Sequence, residues 1–382
     1  MIDAVREWLG SVAPGWPRAA GGIVMSLYRA SPKAVIVLVD EKGDPSVLVK
    51  VARQETAEPS LVAEHRALRR LRVLGGDWVR ANSPAPVALG RVAGRTVLAE
   101  SFLEGMPMTL RYYTPGHTKN RSRVERDFAD AADWLARFQR ETAAGRRPLD
   151  EEAIHRLVIV PLARYAEQVG WSDAEEDLFA EVVRRAEMMI GTPLPVSGRH
   201  GDFWMGNLMM GPGGITGVVD WELASLEAFP IDDLYKFPTS YSFYLDRAYP
   251  GRGSVPGHPG WSEGRDGWQF YGDWANLAGF AYAYFGKGWF PSLVRTWIDQ
   301  RAAALRIAPE MHSIFFPVFL AKQATTLADP VFRNGYRSAI IGLARQRGET
   351  WLWHGGSVSP KSTVSTKESR RSVPASRVER WT

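Results

Sequence analysis

Two apolar runs, Leu208-Met209-Met210 and Ile215-Thr216-Gly217-Val218-Val219, flank Gly211-Pro212-Gly213-Gly214. This stretch constrains the fold more than any other. Glycine supplies the positive φ of a tight reversal, so the flanking runs must pair as an antiparallel hairpin. With the reversal centred on Pro212 and Gly213, Asn207 is expected to face Val218. Asp220 then points to the same side as Asn207, roughly 7 Å further along the strand. His200-Gly201-Asp202 enters the hairpin just upstream. Two carboxylates and an amide oxygen at one mouth have the makings of a site. Oxygen ligands suit a hard cation such as Mg²⁺, and a carboxylate can orient and deprotonate a hydroxyl.

The first hundred residues read as a small antiparallel sheet with one helix. Strands are expected at 23–28, 34–39 and 47–51, joined by Ser31-Pro32-Lys33 and by Glu41-Lys42-Gly43-Asp44-Pro45. Lys50 stands between Val49 and Val51 in the third, and an ammonium in an apolar strand must reach water or meet an anion. From Ser60 a helix is expected with Leu61, Glu64, Leu68 and Leu71 on one face. Glu64 therefore lies on a buried stripe, where a carboxylate needs a partner, and Lys50 is the candidate. Arg66, Arg69, Arg70 and Arg72 fall mostly on the solvated side.

The pattern His200-Gly201-Asp202, Asn207 and then Asp220-Trp221-Glu222 resembles the catalytic and metal-binding loops of the aminoglycoside phosphotransferase and choline kinase group. These are small-molecule kinases related in fold to protein kinases. The resemblance implies an α+β, protein-kinase-like two-lobe fold, with an antiparallel sheet plus helix as the N-lobe (1–103) and a mainly helical C-lobe (104–354). It implies ATP and Mg²⁺ as cofactors, a small-molecule hydroxyl as acceptor, Asp202 as catalytic base, and Asn207 and Asp220 as metal ligands. Lys50 would clamp the nucleotide phosphates and Glu64 would orient it. Ser31 stands in the loop that should cover the phosphates, which here, at Arg29-Ala30-Ser31-Pro32-Lys33, has no glycine. The strand Val97-Leu98-Ala99-Glu100-Ser101-Phe102 resembles the hinge between lobes, where backbone groups of Glu100 and Phe102 would meet the adenine edge. His200 and Arg199 would support the loop, and Trp204 and Glu222 could face the acceptor. The alternative is a catalytically idle kinase-like module that binds nucleotide or a protein.

Further along, Val124, Phe128, Ala132, Leu135 and Phe138 mark an amphipathic helix, and another is expected over 173–190, its acidic start matching the helix dipole. Asp232 and Asp233 look like N-terminal caps of a helix at 234–237; the resemblance implies an aspartate here that braces the catalytic loop, so Asp232 is read as structural first and functional second. The Gly/Pro-rich stretch 250–268 lacks the Gly-Lys-Ser/Thr ending of a phosphate-binding loop. Trp274, Phe280, Tyr282, Tyr284, Phe285, Trp289, Phe290 and Trp297 read as core aromatics, and helices are expected over 310–328 and 330–348.

Charge bears on partners. The net charge is +5, but six lysines and arginines against two glutamates from residue 355 onward supply most of it. That Ser/Thr-rich tail is expected to be disordered, and the remainder is nearly neutral, so no nucleic-acid partner is expected. No apolar run approaches the length of a membrane span, and the charged start does not read as a signal peptide. Zero cysteines exclude disulfides, thiolate zinc sites and thiol catalysis. A cytoplasmic chain is the expectation.

Overall fold

The computed structural model describes residues 1–16, 19–25, 31–112, 114, 116–118, 120–244, 277–327 and 330–353. The stretch 250–268, Trp274, the tail from 355, and Arg29 and Ala30 of the first loop lie outside the described residues. The described residues fall into two compact units, 1–145 with 196–240 and 146–195 with 241–382.

The first unit opens with α1 (Ile2–Val12), then β1 (Gly21–Val24), β2 (Lys33–Val39), β3 (Pro45–Ala52), α2 (Glu58–Leu74), a short α3 (Asp77–Ala81), β4 (Pro86–Val92) and β5 (Arg95–Ser101). The strands form one antiparallel sheet in the order β1-β2-β3-β5-β4. Side chains alternate across it. Val47, Val49, Val51, Val97 and Ala99 share one apolar cluster with Val5 and Leu9 of α1. Ala52 and Leu98 belong to the other face, packed with Leu61 of α2. Lys50 is paired with Leu98, and Leu48 with Glu100, so Lys50 and Glu100 share the α2 face.

α2 starts with Pro59 in its first turn, where no N–H is needed, and ends at Gly75, whose Cβ would lie 2.6 Å from the Leu71 carbonyl. Leu61, Leu68 and Leu71 are fully buried, each contributing roughly 1.5–3 kcal/mol. Glu64 lies among them at 0% exposure, as the stripe implied.

After β6 (Met106–Pro107) and α4 (Thr109–Tyr112), α5 (Arg121–Glu141) begins where Asn120 accepts the Arg123 N–H at 3.1 Å. Its buried face carries Val124, Phe128, Ala131, Trp134, Leu135 and Phe138. Ala131 is buried, and Ala132, expected on this face, is half-buried. The chain passes through the second unit as β7 (Arg146–Pro148), α6 (Glu151–Ile154), α7 (Val160–Val169), α8 (Asp173–Met188) and β8 (Pro193–Pro195). It returns as β9 (Ser197–Arg199), β10 (Leu208–Gly211), β11 (Gly214–Val218), β12 (Ser225–Ala228) and α9 (Ile231–Tyr244).

β10 and β11 are the expected hairpin, with a correction. Met210 pairs with Ile215 and Gly211 with Gly214, but Leu208 pairs with Val218 and Met209 with Gly217. Thr216 is the extra residue of a β-bulge, and its hydroxyl donates to Glu104 O at 2.6 Å. Asn207 therefore stands opposite Val219, whose N–H reaches the Asn207 carbonyl at 3.0 Å, and not opposite Val218.

In the second unit α8 opens on a capping box between Ser172 and Glu175, which accounts for its acidic start, and buried Glu175 also accepts the Tyr165 hydroxyl at 2.6 Å. The later helices are α10 (Leu277–Phe285), α11 (Trp289–Ala304), α12 (Met311–Thr326) and α13 (Pro330–Gln346). α12 is buried on every side from Met311 to Ala321. Phe280, Tyr282, Tyr284, Phe290 and Trp297 are buried, so these aromatics fill a core as expected. Among the described residues no helix is long and apolar enough to cross a membrane.

Candidate active site

Lys50 is the centre of a carboxylate cluster in the first unit. Its Nζ lies 2.6 Å from Glu64 Oε1, 2.5 Å from Asp220 Oδ1 and 3.3 Å from Glu100 Oε1, with the Lys50 side chain only 5% exposed. Glu64 Oε1 also accepts the Trp221 N–H at 3.0 Å, which ties α2 to the residue after Asp220. Burial works against the Lys50 ammonium, but Asp220, Glu100 and Glu64 outweigh it and hold its pKa well above the ordinary lysine range. Burial also works against the Asp220 carboxylate, and Lys50 and then Lys33 overcome it and bring it down to about 2. Asp220 is a non-glycine residue at φ 62°, ψ 65°, a conformation that costs about 1–3 kcal/mol and is kept where the surroundings impose it.

The Glu100 side chain adds to the sequence reading, which concerned its backbone. It lies inside β5 at 1% exposure, with its carboxylate turned to Lys50, while the Phe102 N–H is spent on Ser46 O at 3.1 Å. The alternation of β5 puts Glu100 beside Lys50, and the pairing of Phe102 with the end of β3 removes its donor from any purine edge. Burial pushes the Glu100 carboxyl up to about 8, with Lys50 opposing and Glu64 and Asp220 adding. Its Oε2 is buried without a hydrogen bond. A carboxyl whose folded pKa lies above its unfolded value of 4.5 stabilises the fold below that value and loses the contribution as pH rises towards 8. Glu100→Gln should therefore gain on the parent chain by roughly 2–4 kcal/mol between pH 5 and pH 8.5 in urea denaturation. A gap that stays constant across those pH values would contradict this.

The second cluster is the loop that enters the hairpin. Asn207 Nδ2 donates to Asp202 Oδ2 and to the Asp202 carbonyl, each at 3.0 Å. Asp202 Oδ1 lies 2.8 Å from Lys236 Nζ, and its side chain is 28% exposed. Gly201 has φ +84°, and a Cβ there would meet Leu223 O at 2.5 Å, so glycine is needed before Asp202. His200 Nε2 lies 3.0 Å from Val219 O, and its Nδ1 accepts the Asp202 N–H at 3.2 Å. Those partners place the proton on Nε2, and burial lowers the His200 pKa, so the ring is a neutral support for the loop. Beneath it Trp134 stacks on Phe203 at 5.5 Å and Trp221 meets the His200 ring at 4.6 Å.

The brace of this loop is Asp233, where the sequence pointed to Asp232. Asp233 Oδ2 accepts the His200 N–H at 2.7 Å and Oδ1 the Gly201 N–H at 2.8 Å, while Asp232 pairs with Arg199 at 2.7 Å. Neighbours on a helix point about 100° apart, so the two meet different parts of the loop: Asp233 its backbone at His200 and Gly201, Asp232 the Arg199 side chain. Burial raises Asp233 to about 7, against the pull of those two N–H groups. Glu222 pairs with Lys33, and Ser31 Oγ accepts the Lys33 N–H at 3.3 Å.

The structure thus gathers Lys50, Glu64, Glu100 and Asp220 into one group and Asp202 and Asn207 into another, while Ser31 and Phe102 belong to neither. The loop contact of Asp233, Lys236 and the Glu100 side chain escaped the sequence reading. Lys236, a charged residue in the apolar run Leu234 to Phe237, was the available signal. Each of the two residues offers oxygen, the ligand atom of a hard cation: Asp220 stays ionised, and Asn207, its amide nitrogen given to Asp202, has Oδ1 as its ligand type.

The phosphotransferase enzyme family model matches residues 30–249. No curated protein matches the chain. Among solved structures, a thermostable mutant of aminoglycoside phosphotransferase APH(4)-Ia in ternary complex with AMP-PNP and hygromycin B is 14% identical, covering 90% of this chain and 99% of that one with a TM-score of 0.49. A putative fructosamine-3-kinase from Haemophilus somnus is 16% identical over 78% of this chain and 96% of that one, TM-score 0.42. Macrolide 2'-phosphotransferase MphH from Brachybacterium faecium is 14% identical over 90% and 97%, TM-score 0.41. The family match spans more than half of the sequence and includes every residue of both clusters, and the chain belongs to the phosphotransferase enzyme family.

Proposed function

We propose that the chain moves the γ-phosphoryl group of ATP to a hydroxyl of a small molecule, such as an aminoglycoside, a choline-like alcohol or a sugar. The observation that carries this reading is the buried Lys50, held by Glu64 from α2 and reaching Asp220. A lysine held in this way is a ready point charge for phosphate oxygens. The two proposed lobes meet at this site, 1–103 supplying Lys50, Glu64 and Glu100 and 104–354 supplying Asp202, Asn207 and Asp220.

In this reading Asp202 accepts the proton of the attacking hydroxyl, fixed in place by Asn207. Lys50 binds the phosphates and Glu64 keeps it aimed. Asp220 and Asn207 Oδ1 would hold Mg²⁺, which when bound neutralises phosphate charge. A cytoplasmic location is part of the proposal.

The test is acceptor-dependent ADP release from ATP and Mg²⁺ across a panel of hydroxylated antibiotics, amino alcohols and sugars, alongside a thermal shift with nucleotide. Turnover with at least one acceptor is expected. A nucleotide shift with no turnover across the panel would favour the idle module, and no response to nucleotide in either assay would overturn the reading.

A further inference from the structure

α9 grips the loop 199–202 almost residue by residue. Asp232 takes Arg199, Asp233 takes the N–H groups of His200 and Gly201, and Lys236 takes Asp202. Asp233 and Lys236 are three apart, so they lie on one face of the helix. That face meets backbone first and then the carboxylate itself. Lys236 is 6% exposed along its side chain, and an ammonium is seldom buried to that degree except against an anion.

The two oxygens of Asp202 have different partners. Oδ2 accepts the Asn207 amide at 3.0 Å, and Oδ1 lies 2.8 Å from the Lys236 ammonium. A carboxylate tethered at one oxygen swings about its χ2, which for aspartate is broad. Tethered at both, it has one orientation. The clamp draws on two distant parts of the chain, the hairpin mouth and the first turns of α9, so it sets the direction of the carboxylate against the whole loop. Lys236 also offsets the negative charge that Asp202 would present to an incoming anion.

We propose that Lys236 is a positioning residue for Asp202: its ammonium and the Asn207 amide together fix the carboxylate in the orientation that receives the acceptor hydroxyl. This rests on Asp202 being the catalytic base of the proposed phosphotransfer. Removing Lys236 should slow the chemical step and leave nucleotide binding alone, because the carboxylate it holds is Asp202, while Lys50 is held by Glu64, Glu100 and Asp220.

The experiment is a double-mutant cycle in the full chain, with an acceptor found by the ADP-release screen. Lys236→Met should lower kcat about 10- to 100-fold with KM for ATP within about twofold of the parent. Lys236→Gln, which keeps a donor for the same oxygen, should fall between the two, and it serves in place of Met should that variant not fold. In an Asp202→Ala background Lys236→Met should add no more than about twofold, since a residue that acts through Asp202 has nothing left to position. A Lys236→Met kcat within twofold of the parent, a loss confined to KM for ATP, or full additivity in the cycle overturns the inference and leaves the phosphotransferase reading standing. A parent chain that turns over no acceptor at all overturns both.

Discussion

Asp202→Ala should lower kcat by about 10³-fold while the affinity for ATP·Mg²⁺ changes by no more than a few-fold. The carboxylate is the one acidic group of the loop left partly open to solvent, at 28% exposure, and both of its oxygens are aimed by neighbours. General-base assistance by a positioned side chain supplies about 10²–10⁴ in rate, and here the alanine also abolishes the orientation of the acceptor. Nucleotide affinity should persist because Lys50, Glu64 and Asp220 form a separate group. Steady-state turnover at saturating ATP and acceptor, paired with calorimetric titration of nucleotide, separates the two quantities. Parent-like turnover in the variant would remove Asp202 from the mechanism.

Lys50→Met should be costly in a different currency, stability. Glu64 and Glu100 are 0% and 1% exposed, and Lys50 is the shared counter-ion of both. Taking one partner out of a buried ion pair leaves a charge without compensation and costs about 3–5 kcal/mol. The cost should be greatest at pH 8 and smaller at pH 5, because burial already pushes both carboxyls up and they escape the penalty by taking protons. Adding Glu100→Gln should recover part of the loss at pH 8. Urea denaturation of the single and double variants at both pH values reads this directly. A Lys50→Met variant as stable as the parent at pH 8 would mean that the cluster is solvated, contrary to the burial seen. ATP affinity should also fall at least tenfold, from loss of the phosphate contact.

Much of this site was legible, and the legible parts share a cause. Lys50 in an apolar strand and Glu64 on an apolar helix stripe each break the pattern around them, and two such breaks close in sequence pointed to one another. The hairpin was legible because glycine marks the turn. Four features were not. Glu100 was read only for its backbone at the hinge, because sequence alone does not show that β5 lies next to β3, and only that adjacency brings its carboxylate beside Lys50. Asp233 and Asp232 are alike in sequence, and packing decides which of them takes the His200 and Gly201 N–H groups. Lys236 finds its partner 34 positions earlier in the chain, beyond any local pattern. The bulge at Thr216 was invisible because its reason lies elsewhere, in the carbonyl of Glu104 that its hydroxyl reaches.

That bulge gives the hairpin a parity. Residues could be added at Pro212 and Gly213, the tip, and the strands below would keep their pairing. One residue gained or lost between Gly214 and Val219 would instead turn every later side chain to the opposite face of the ladder, and Asp220 would arrive with its back to Lys50. Length in this loop is therefore negotiable at the tip and quantised along the arm. Natural variation in relatives of this chain should follow that rule, with insertions crowding the glycines and compensated pairs of changes, never single ones, beneath them.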